Sequence, residues 1–102
     1  MAMSKSDKNT AVLTALNHPI RRDILRYLET HNNGGVSPKK LAEQLDQPIG
    51  NVSYHVRCLL ETGVLKLTTT KQRRGAVEHF YTRKGNAVDK LVTEVLEFIG
   101  KD

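Results

Sequence analysis

The sequence predicts a mainly α domain with one small β-hairpin, an α+β fold. Three observations carry that expectation. Apolar residues recur at three- and four-residue steps in separate short stretches. The pattern changes to β-branched and aromatic residues only between Val64 and Thr82. Proline, glycine and capping residues fall at the boundaries. The 102 residues suit one domain, and the 38% hydrophobic content supports a small core.

Taken in order, Met1 to Asn9 is polar and reads as a disordered tail, without the apolar stretch of a signal peptide. The domain is expected over residues 10–99. Thr10 offers an N-cap to a short helix carrying Ala11, Val12, Leu13, Ala15 and Leu16. Pro19 suits the first turn of the next helix, where its missing N–H costs nothing. Ile20, Ile24, Leu25, Tyr27 and Leu28 form its apolar side, and Asn32-Asn33-Gly34-Gly35 ends it. Ser37-Pro38 starts a third helix with Leu41, Ala42 and Leu45 as its stripe. After the link Asp46-Gln47-Pro48, a fourth is expected from Ile49 to Thr62. Its repeat is Ile49, Val52, Val56, Leu59 and Leu60, and Gly63 stands at its C-terminal cap. Val64 to Thr70 and Val77 to Thr82 read as two strands, with Lys71-Gln72-Arg73-Arg74-Gly75 as the turn. A last helix over residues 86–99 carries Ala87, Val88, Leu91, Val92, Val95, Leu96 and Ile99.

Two short helices joined by a tight link, followed by a basic hairpin, make a winged helix-turn-helix unit with further helices at both ends. Charge agrees with a polyanion partner. Lysine and arginine number 16 against 11 acids, a net charge of +5, and nucleic acid is the commonest polyanion. A solvated basic surface is the other reading of charge alone. Distribution says more: Lys66 to Lys84 holds six basic residues and one acid, Glu78, whereas Gly85 to Asp102 holds four acids and two lysines.

The stretch Leu16-Asn-His-Pro-Ile-Arg-Arg-Asp-Ile-Leu-Arg-Tyr-Leu28 resembles the second helix of the ArsR-like winged helix-turn-helix transcription regulators of prokaryotes. Leu41-Ala-Glu-Gln-Leu45 and Val52-Ser-Tyr-His-Val-Arg-Cys-Leu59 resemble that family's helix-turn-helix core. Glu61-Thr-Gly-Val-Leu65 resembles its exit into the wing. The resemblance spans about Leu16 to Thr82. It implies a homodimer that binds operator DNA and usually represses, with terminal helices at the dimer interface. Val12, Leu13, Leu16, Val88, Leu91, Val92, Val95 and Ile99 are the candidate interface residues.

Candidate DNA contacts follow from the helix face opposite Val52, Val56 and Leu59. Gly50, Asn51, Ser53, Tyr54 and Arg57 lie there. Asn pairs with adenine and Arg with guanine, while Ser and Tyr more often meet phosphate. Arg57 pairing with an acid, or Tyr54 covering a groove, are the structural alternatives. His55 either joins this face or packs on its own helix. Lys71, Gln72, Arg73 and Arg74 form the candidate wing contacts, with three cations on one turn that repel unless an anion is near. Lys39 and Lys40 are candidate backbone contacts or a solvated pair. Arg83 and Lys84 at the hairpin base are ambiguous.

No cofactor is expected. Cys58 is the sole cysteine, so neither an intrachain disulfide nor a cysteine-rich zinc site can form. It reads as a small packed residue, with a redox role as the alternative. His18, His31, His55 and His79 fall on different elements without ligand spacing, and the family's metal-binding positions lack cysteine and histidine here, so no metal site is expected. An effector, if any, is unspecified. No phosphate loop, nucleophile elbow or His-Glu-x-x-His appears, so no enzyme is expected. No run of about 18 apolar residues exists, and the expected location is cytoplasmic, away from membranes. The second reading is a protein-interaction winged helix or a non-specific architectural DNA binder. RNA is a further alternative, without a visible aromatic platform.

Overall fold

Five helices and one antiparallel hairpin follow each other in the computed structural model, which describes residues 5–31 and 33–100, with side chains from Asp7. They are α1 (Lys5–Leu16), α2 (Pro19–Thr30), α3 (Pro38–Leu45), α4 (Ile49–Glu61), β1 (Leu65–Arg73), β2 (Ala76–Arg83) and α5 (Ala87–Ile99). Capping chemistry explains most boundaries. Ser37 Oγ accepts from the Lys40 N–H at 3.2 Å, with Pro38 at the first helical position. His18 Nδ1 accepts from the Ile20 N–H at 3.1 Å ahead of Pro19, an N-cap supplied by an imidazole. Asn86 Oδ1 accepts from the Asp89 N–H at 2.9 Å and starts α5. Asp46, left-handed at φ 52°, ends α3 and makes the tight turn into α4.

Two expectations need correction here. The helix α1 starts at Lys5, so residues 5–9 are not a disordered tail and Thr10 lies within the helix instead of capping it. No proline or glycine interrupts this stretch, and Asp7 in the first turn complements the helix dipole. The remainder of the expected tail, Met1 to Ser4, lies outside the described residues, as does Asn32 of the expected loop.

The hairpin is also longer than expected. β1 runs to Arg73, and Arg73 pairs with Ala76, so only Arg74 and Gly75 form the turn. Lys71, Gln72 and Arg73 therefore belong to a strand. Gly75 has φ 80°, the left-handed conformation a two-residue turn requires and glycine adopts without penalty. A register shift between Leu67 and Thr69 exchanges the faces of the outer half of β1. Val36 adds an isolated bridge to Tyr81, with N–H···O distances of 2.8 and 2.9 Å. Gly35 permits that approach: at φ +91° a Cβ there would stand 3.0 Å from Thr68 Oγ1.

The core holds Ile24, Leu25 and Leu28 of α2, Leu41 of α3, Val52 and Leu59 of α4, Val64 just before β1, and Val92 of α5, all fully buried. Each large aliphatic contributes about 1.5–3 kcal/mol by leaving water. α1 packs on both α2 and α5. Val12, Leu16, Val88 and Val92, expected at a dimer interface, are instead buried within the single chain, because α1 and α5 use those positions against their own protomer. Leu13, Leu91 and Ile99 do remain exposed, Val95 is half-buried, and Phe98 is 90% exposed.

Candidate nucleic-acid interface

Helix α4 is fastened to the core by Val52, Val56 and Leu59, which leaves Gly50, Asn51, Tyr54 and Arg57 exposed and Ser53 half-buried. Gly50 has open space where a Cβ would stand, so backbone can approach a partner there. Two α4 residues depart from expectation. Ile49, placed in the apolar stripe by its spacing, is 53% exposed. His55, a candidate for the outer face, is buried at 7% exposure. Position 55 stands three after Val52 and four before Leu59, so helical geometry turns it inward with them.

His55 Nδ1 accepts from Arg21 Nε at 3.0 Å, and its ring lies 4.3 Å from that of His18. Arg21 further donates to the Thr14 carbonyl at 2.6 Å and to Asn17 Oδ1 at 3.1 Å. This joint ties α4 to α2 and to the end of α1. Burial first, then the neighbouring His18 and Arg21, hold the His55 pKa below the usual histidine value. The histidines are thus not all scattered: His18 and His55 meet. Among the described residues, no group of three or more His, Cys, Asp or Glu is placed to hold a metal ion.

The hairpin divides the wing residues between two faces. Lys71 and Arg73 share a face with Glu78 and Phe80. They border a cleft of about 530 Å³ together with Lys39, Lys40 and Glu43. Their charges are partly engaged: Arg73 Nε donates to Glu78 Oε1 at 3.0 Å, and Lys71 Nζ lies 5.4 Å from the Phe80 ring centroid. Arg74 stands at the turn. The expected cluster of three cations on one turn is therefore a strand-borne pair plus one turn arginine. Gln72 lies on the opposite face, across from Val77. On that side a groove of about 350 Å³ runs between the hairpin and α4, lined by Ile49, Ser53, Arg57, Val77, His79 and Lys39 among others.

At the hairpin base, Arg83 turns inward. Its side chain is 7% exposed, pairs with Asp89 Oδ1 at 2.7 Å and Glu29 Oε2 at 2.6 Å, and donates to Thr93 Oγ1 at 2.6 Å. This cation clamps β2 to α2 and α5. Lys84 next to it is exposed. Cys58 is half-buried. No described helix is long and apolar enough to cross a membrane.

Comparison with known proteins agrees with this architecture. A helix-turn-helix domain family model matches residues 16–68, from the end of α1 into β1. The chain is 26% identical over 97 residues to the uncharacterised HTH-type transcriptional regulator MJ1325 of Methanocaldococcus jannaschii, covering 95% of this chain and 97% of that protein. Its fold is similar to that of the transcriptional repressor BigR from Xylella fastidiosa, with a TM-score of 0.67 at 21% identity over 92% of this chain and 85% of that one. The homodimeric winged helix-turn-helix DNA-binding domain Mb0332 of Mycobacterium bovis, a possible ArsR-family regulator, superposes with a TM-score of 0.67 at 20% identity, covering 97% of this chain and 89% of that one. The family and the fold are those of DNA-binding transcriptional regulators, which are not enzymes. The chain belongs to the helix-turn-helix domain family, here with a winged helix-turn-helix fold.

Proposed function

We propose that this chain is a sequence-specific double-stranded DNA-binding regulator that acts in the cytoplasm as a homodimer and represses transcription. The observation that carries the reading is the outer face of α4. It is polar and open, with Asn51, Tyr54 and Arg57 exposed beside Gly50, and it adjoins a basic hairpin. A helix about 10–12 Å across fits the B-DNA major groove. In this reading α4 enters the groove, and Asn51 and Arg57 hydrogen-bond base edges. Ser53 and Tyr54 contribute phosphate or mixed contacts. Arg74, Lys71 and Gln72 on the wing reach backbone or minor groove beside it. Lys39 and Lys40 meet phosphate at the start of α3, and Arg73 adds charge in proportion to how far Glu78 releases it.

The homodimer is supported by the exposed apolar residues of α1 and α5 and by the homodimeric Mycobacterium bovis domain of like fold. Repression is supported by the Xylella fastidiosa repressor of like fold. Two α4 helices in a dimer meet half-sites about 34 Å apart. The test is fluorescence anisotropy with labelled duplexes, from a random pool and from a pool selected on the protein, over a range of salt. Enrichment of a near-palindromic sequence, bound more tightly than the random pool, is the expected result. Equal weak binding to every duplex would leave an architectural winged helix. No binding at moderate salt would leave a protein-interaction one.

A further inference from the structure

The groove between α4 and the hairpin contains two exposed apolar side chains among polar and charged groups. Ile49 is 53% exposed and Val77 49%. Both line the groove with Ser53, Arg57 and Lys39. Ile49 is the first residue of α4, and helical spacing sets it in line with Ser53 and Arg57, four and eight positions on. A lone exposed aliphatic needs no explanation. Two that share a groove between polar and charged groups, beside the helix offered to DNA, call for an apolar counterpart.

The major groove presents one apolar group, the C5-methyl of thymine. The N-terminal residues of a recognition helix are the ones nearest base edges. We infer that Ile49 is a specificity-determining residue that packs against a thymine methyl, with Val77 extending the same apolar patch. The inference rests on the DNA-binding reading above and adds to it a base and a residue. Ile49 has no donor or acceptor, so it distinguishes thymine from cytosine only through the methyl, whereas Asn51 and Arg57 discriminate by hydrogen bonds.

The experiment replaces thymidine by deoxyuridine, one position at a time, in a duplex selected by the wild-type protein from a random pool. The exchange removes one methyl and leaves base pairing intact. At one thymine per half-site, wild type is expected to lose affinity about fourfold, the factor that burial of one methyl supports. Ile49→Ala should show no loss at that position, and Ile49→Val an intermediate one. Thermal unfolding of each variant runs alongside. If Ile49→Ala and wild type respond alike to every deoxyuridine, the contact does not exist. A lower unfolding temperature with an unchanged thymine-to-uracil ratio would make Ile49 a packing residue only and overturn the inference. If selection enriches no sequence, the DNA-binding reading itself fails, an outcome distinct from a selected duplex indifferent to its methyls.

Discussion

The Arg83 guanidinium is held by Asp89, Glu29 and Thr93, and Asp89 is itself only 4% exposed. Removing the cation leaves a buried carboxylate without its partner, a loss of about 3–5 kcal/mol. That is a large part of the roughly 5–15 kcal/mol that stabilises a domain. Arg83→Ala is therefore expected to lower the urea midpoint strongly, and an unchanged midpoint would show the clamp to be dispensable. His55 sets a pH dependence. Its pKa is depressed in the folded chain, while the unfolded chain titrates near the ordinary value of about 6.5. As pH falls below about 6.5, the unfolded chain takes up a proton that the folded chain still refuses. Stability is thus full above that pH and is lost as pH falls through the folded pKa. Urea midpoints taken from pH 7.5 down to 5 should decline in wild type. His55→Gln, which keeps an acceptor for Arg21 but does not titrate, should flatten the decline; equal slopes would remove His55 from the account. The inward turn of His55 was legible in its spacing from Val52 and Leu59. The Arg21 bond was not, because it joins residues 34 positions apart.

At the scale of elements, α2 to α5 were readable because each begins or ends on local chemistry: Pro19, Ser37-Pro38, Gly63, and the shift of apolar period. The start of α1 was not, since Lys, Ser, Asp and Asn are tolerated on an exposed helix face as readily as in a tail. The wing was readable as a hairpin but not in its length. Thr, Lys, Gln and Arg suit a solvent-exposed strand and a loop alike, and the register shift near Thr68 has no sequence mark. That difference matters for binding. Glu78 already accepts from Arg73, whereas Arg74 at the turn makes no such ion pair among the described residues. Arg74→Ala should therefore reduce the slope of log K against log salt more than Arg73→Ala, with a full phosphate contact worth about 0.9 in slope. Titrations at four or more salt concentrations decide it; equal reductions would mean that Glu78 lets Arg73 go on binding. Asn51→Ala on α4 should instead alter which sequences are selected while leaving random-pool affinity nearly unchanged. Uniform weakening would reassign Asn51 to phosphate.

For the whole molecule, the decisive surface is the outer side of α1 and α5. The apolar stripe of α5 was legible in the sequence, but its division was not: one edge of the stripe serves the protomer's own core along the length of the helix and the adjacent edge is left open. Val88, Val92 and Leu96 point inward, whereas Leu91 and Phe98, seven residues apart and so on one helical face, point out with half-buried Val95 between them. Leu13 of the adjoining α1 is 69% exposed. A 102-residue chain gains from burying such residues against a second copy, and a two-fold axis through this face makes the patch its own partner. Phe98→Glu and Leu91→Glu would place a charge within the proposed contact but lie outside the protomer core. Both variants should sediment as monomers while keeping the helical circular dichroism of wild type. Wild type itself should sediment as a dimer at micromolar concentration. The monomers should also lose the advantage of a near-palindromic duplex over a single half-site, because two recognition helices would no longer be held about 34 Å apart. A dimer that survives both substitutions would move the interface off α5, and with it the predicted spacing of the half-sites.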